Sequence, residues 1–131
     1  MKSFPFLPPA QALILLRVCL AVVFLAHAIV RVCNGTIPRF AEYLNNKGFV
    51  FGMPLVWGIT AFEIIGGVLL AVGYYIQILS AGFILLLLAG IVIIHAEQGW
   101  FVGEHGSGGI EYSFILIAAF VAVAATARKK E

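Results

Sequence analysis

Long apolar blocks separated by short polar breaks dominate this chain. A membrane-crossing helix needs about 20 mostly apolar residues, and four stretches qualify. The first runs from Ala10 to Val32 behind the pair Pro8-Pro9, which suits a helix start. The second runs from Pro54 to Gly73, with proline in its first turn and glycine where a C-cap sits. The third covers Ile76 to Glu97 and the fourth Ile110 to Ala127. The Tyr74-Tyr75 corner alone joins the second and third, so these should be antiparallel neighbours. Residues 33–53 form a longer connection in which Phe40 to Lys47 predicts one short interfacial helix. Residues 98–109, QGWFVGEHGSGG, form the other long connection. The simplest architecture is an all-α, integral membrane four-helix bundle.

Composition excludes the alternatives. Of 131 residues, 63% are hydrophobic and 11% charged, and the mean hydropathy is +1.08. A soluble domain carries about a quarter charged residues. Two cysteines make no disulfide framework, and a net charge of +2 does not point to nucleic acid. The length fits a single domain, residues 1–131. Basic residues place Lys2 and the Arg128-Lys129-Lys130 tail on one side, against Arg39, Lys47 and Arg31 on the other. That bias favours cytoplasmic termini. Ala26-His27-Ala28 has the small-x-small form of a cleavage site. The apolar region is too long for a signal peptide, though, and Arg17 interrupts it, so no cleavage is expected. The expected location is a bacterial inner membrane, crossed several times.

Charges inside a bilayer cost roughly 2.5–3.5 kcal/mol each on insertion scales, so each asks for a partner or a purpose. Five residues stand out: Arg17, His27, Glu63, His95 and Glu111. At 100° per residue, Arg17, His27 and Arg31 fall on one stripe of the first helix with Phe24 and Ala28. That stripe should face the bundle. Glu63 shares a face with Gly66 and Gly67, where small residues let backbones approach. Glu111 heads a seam of Ala118, Ala122 and Ala125, again a packing face. Arg17 lies seven residues from the near end of its helix and Glu63 ten from the near end of its own. At 1.5 Å per residue they differ by roughly 5 Å in height. The expectation is two layers: an Arg17–Glu63 pair near the midplane, and an outer cluster of His27, His95 and Glu111. Glu104 and His105 would lie in the loop above that cluster.

Each feature also has a plainer reading. An Arg17–Glu63 pair can serve only to fix helix register. His95 and Glu111 can be interfacial residues in contact with headgroups. Two His and one Glu make a conceivable metal set, but no H-x-x-x-H or E-x-x-H pair lies on one helix, so no metal is expected. Cys19 and Cys33 are about 21 Å apart along one helix and cannot bond to each other. Without C-x-x-C there is no self-contained thiol oxidoreductase. Asn34-Gly35-Thr36 matches a glycosylation sequon beside the membrane and is set aside, as is the glycine-rich GEHGSGG run, which lacks a strand–turn–helix context. Trp57 and Trp100 fit interfacial anchoring.

This constellation resembles the DoxX family. The residues that carry the resemblance are Arg17 early in the first span, His27 near its end and the run Glu63-Ile64-Ile65-Gly66-Gly67. His95 closing the third span and Gly108-Gly109-Ile110-Glu111-Tyr112 opening the fourth complete it. One departure is that the fourth span runs straight into Ala127-Arg128-Lys129-Lys130-Glu131, where many members have a glycine-rich turn. The family is named for the membrane subunit of a thiosulfate:quinone oxidoreductase. The resemblance therefore implies a redox-associated membrane protein that binds a quinone or similar lipophilic carrier between its helices.

Phe24 and Phe62 would line the apolar slot, His27, His95 and Glu111 would serve the carbonyls and protons, and Arg17 and Glu63 would set the local field. With no electron-carrying cofactor motif, the chain is at most an oxidoreductase subunit. Electrons would come from a partner redox subunit or a substrate thiol. Two readings of other classes stand beside this one. The first is a proton-coupled carrier of a small solute, which with four helices would need to dimerise. The second is a non-catalytic accessory subunit. Glycine and alanine faces suit a homodimer in either case.

Overall fold

A computed structural model describes residues 3–93 and 110–127. Five helices follow one another: α1 (Pro9–Cys33), α2 (Ile37–Asn46), α3 (Gly52–Val72), α4 (Ile76–Ile93) and α5 (Ile110–Thr126), with no strand among the described residues. Three of them, α1, α3 and α4, are long and apolar enough to cross a membrane, whereas α5 is a shorter apolar helix of 17 residues. The predicted span boundaries agree with the helices within two residues, except that the stretch beyond Ile93 lies outside the described residues. Gly73 closes α3 in a left-handed conformation, φ 102°, which a residue without Cβ adopts at no steric cost.

The four longer helices close a ring: α1 packs on α3 and α5, and α4 packs on α3 and α5. Inside the ring, Phe24, Phe83 and Phe120 meet ring to ring, with Phe83 and Phe120 stacked at 5.3 Å and Phe24 4.6 Å from Phe83. Leu20, Ala21, Leu70, Leu79 and Val123 complete this core. Lipid solvates leucine as readily as another helix does. Close fit and small residues, not apolarity, therefore decide which face turns inward. At Gly67 an added Cβ would lie 2.8 Å from Leu25 Cγ, so α1 and α3 approach there as only glycine permits.

The short helix α2 is amphipathic and sits outside the ring. Ile37, Ala41 and Leu44 recur at i, i+4 and i+7 and are buried with Val56 of α3, while Arg39 and Glu42 face outward. Its end is pinned by Asn45, whose Oδ1 accepts a hydrogen bond from the Gly52 amide at 3.0 Å. A Cβ on Gly52 would clash with the Ala41 carbonyl, which explains glycine at the start of α3.

Two sequence expectations fail here. The Glu111–Ala118–Ala122–Ala125 seam faces away from the core, and the buried stripe of α5 is Ser113, Leu116, Phe120 and Val123. The aromatic stack takes Phe120, and the alanine stripe lies on the far side of the helix. His27 is exposed as well, since it sits about 100° around α1 from the buried Ala28.

Candidate functional site

Among the described residues the buried acid is Glu63, 5% exposed, and its partner is Arg31 of α1. Nη1 of Arg31 donates to Glu63 Oε2 at 3.4 Å and to the Thr60 hydroxyl at 3.0 Å. Thr60 lies one turn before Glu63 on α3, so both present to Arg31 from one face. The Phe40 ring of α2 covers the guanidinium, with Cζ 5.4 Å from the ring centre, a cation–π contact that compensates part of the lost hydration.

The expected Arg17–Glu63 pair is therefore not formed. The height estimate assumed that α1 and α3 end level with each other, and they do not. Gly73 packs on Arg17, Gly67 on Leu25, and Thr60 and Glu63 on Arg31. In this register the first turns of α1 run past the end of α3. Arg17 thus sits about 15 Å of helix away from Glu63, at the α3–α4 corner. Arg31 was legible as a member of the inward stripe. The missing information was the register of the opposite helix, which the close Gly67–Leu25 approach sets.

Above the Arg31–Glu63 pair lies a cavity of about 350 Å³ to which every helix contributes. Phe24 and Arg31 come from α1, Phe40 and Leu44 from α2, Leu55, Ile59 and Glu63 from α3, Leu86, Leu87, Gly90 and Ile93 from α4, and Ser113 from α5. Most of this lining is apolar, and its two charged residues, Arg31 and Glu63, are paired with each other. Arg31 commits a single terminal nitrogen to both partners, and none of its other nitrogens is a buried donor without an acceptor. Arg31 itself lines the cavity, so its remaining N–H groups are the candidates to donate to a ligand there.

The DoxX family model matches residues 12–96, the greater part of the chain. The chain belongs to the DoxX family. No curated protein matches it, and no solved structure matches it. The matched region of this DoxX protein holds Arg17, Arg31, Phe40, Thr60 and Glu63, and it ends before the Gly108–Tyr112 element.

Of the residues expected at the site, the cavity brings together Phe24 and Glu63. Phe62 lies elsewhere, its ring tilted against Phe83 at 4.8 Å and facing a shallow groove with Gly82. Arg17 lines a separate cavity. Glu111 lines an open surface pocket with Tyr112, Phe114 and Ile115. His95 lies outside the described residues, as do Glu104 and His105. No group of three His, Cys, Asp or Glu side chains is placed to hold a metal among the described residues. Thr60, Phe40 and Ser113 are site residues that the sequence did not single out, and Arg31 was placed on the inward stripe without a role at the site. The one signal for Thr60 is its hydroxyl at i−3 from Glu63.

Proposed function

We propose that this DoxX protein spans the bacterial inner membrane four times, with α5 as the fourth span, and binds a quinone or similar lipophilic carrier in the Arg31–Glu63 cavity. The observation that carries the reading is a largely apolar chamber lined by one buried Arg31–Glu63 pair. Small-molecule sites have this form, typically 300–1,000 Å³ with a few convergent donors, and the cavity of about 350 Å³ suits a flat ring. A quinone offers a flat apolar body and carbonyl acceptors. The Phe24 and Phe40 rings suit the body, and the Arg31 nitrogens other than Nη1 suit a carbonyl. Glu63 is the group beside that carbonyl able to hold a proton. Electrons come from a partner subunit or a substrate thiol.

The test is mass spectrometry of organic extracts from gently purified protein, with an unrelated helix bundle from the same membranes as control. Stoichiometric quinone in the wild type, depleted about tenfold in Ala89→Phe, is the expected result. Ala89 lines the cavity yet is exposed, so the larger ring fills space without disturbing the core. Wild-type protein with no more quinone than the control overturns the proposal.

A further inference from the structure

The other end of α1 carries an arginine that this cavity does not use. Arg17 lies over the turn that ends α3. A Cβ on Gly73 would come within 3.3 Å of its Nη2 and 3.5 Å of its Cζ, so the guanidinium rests against bare backbone. Nη2 donates to the Ala71 carbonyl at 3.4 Å. Nε is buried and has no partner. Beside the fork opens a second cavity, of about 540 Å³, walled by Leu13, Ile14, Ile76 and Val123. Arg17 is the only charged residue among the described residues that line it. Thr126, also in the wall, already donates its hydroxyl proton to the Ala122 carbonyl at 2.8 Å.

A purely structural role, capping the carbonyl end of α3, uses Nη2 and leaves Nε unexplained. Buried charged donors are costly without an acceptor, and no described residue supplies one to Nε. A guanidinium fork matches the oxygens of a phosphate. Tyr74 and Tyr75, 58% and 69% exposed at the same corner, mark the headgroup level of a bilayer. The sequence runs from Ala127, in the cavity wall, directly into Arg128-Lys129-Lys130, a basic run of the kind that gathers anionic headgroups. The geometry points to a phosphate-binding groove at Arg17. An anionic phospholipid places its phosphate on the fork and its first acyl carbons along Leu13, Ile14 and Ile76.

Native mass spectrometry of the purified protein with equimolar dioleoyl phosphatidylglycerol and dioleoyl phosphatidylcholine tests this. The wild type should retain the anionic lipid about fivefold more than the zwitterionic one, the preference expected of one basic group at a membrane surface. Arg17→Gln should bring the ratio close to one. Ile14→Trp fills the groove from an exposed position with Arg17 intact, and it should do the same even if Arg17→Gln fails to fold. Millimolar inorganic phosphate that strips the lipid from the wild type assigns the groove to free phosphate groups, and failure to strip it assigns the groove to lipid. Equal retention of the two lipids by the wild type, or an undiminished preference in both variants, overturns the site.

Discussion

Arg31 and Arg17 stand on the same stripe of the same helix, yet they meet opposite surroundings. Arg31 faces a carboxylate, a hydroxyl and an aromatic ring, all from the chain itself. Arg17 faces a carbonyl and a glycine, with a nitrogen to spare. Nothing in the local sequence of α1 separates them. The difference comes from the opposing helix, which offers Thr60 and Glu63 at one height and its own terminus at the other. A buried cation is thus completed or left open by the register of its neighbour.

The comparison can be broken most forcefully at the completed end. Arg31→Leu strands Glu63 in an apolar setting and should cost about 3–5 kcal/mol, the usual result of removing one member of a buried pair. Thermal unfolding in detergent reads this, and the double variant Arg31→Leu/Glu63→Leu should recover most of the loss. Gly67→Ala forces a methyl into the 2.8 Å approach to Leu25. It should cost about 1–3 kcal/mol by overpacking and weaken the Arg31–Glu63 coupling energy in a double-mutant cycle. Arg17→Gln removes a single carbonyl contact and its charge at a helix end, so its loss should be only about 1 kcal/mol. A loss as large as that of Arg31→Leu would show that the open end is structurally completed after all. His27→Ala, at an exposed position, should change the melting midpoint by no more than about 0.5 kcal/mol in free-energy terms.

Those two ends also mark what could be read from sequence. Helix limits were legible, because Pro9, Gly73 and the Tyr74-Tyr75 corner are chemical punctuation. The Arg17–Phe24–Ala28–Arg31 part of the α1 stripe and the amphipathic α2 were legible too, whereas His27 of the same stripe turned outward. The rotation of α5 was not. That helix is apolar all round, and the alanine seam and the Leu116–Phe120–Val123 stripe were both plausible until Phe120 found Phe83 and Phe24. The partner of Glu63 was hidden for a related reason. Heights counted from helix ends ignore how far one helix overhangs another, and no local pattern encodes that offset.

The packed rings of Phe24, Phe83 and Phe120 lie between the two arginines, with Phe83 and Phe120 wholly inaccessible. They form a septum. The cavity beside Arg31 and the cavity beside Arg17 share no lining residue. A solute passed from one to the other through the bundle would have to part these rings, whereas a molecule that docks in one cavity and departs from it would leave them in place.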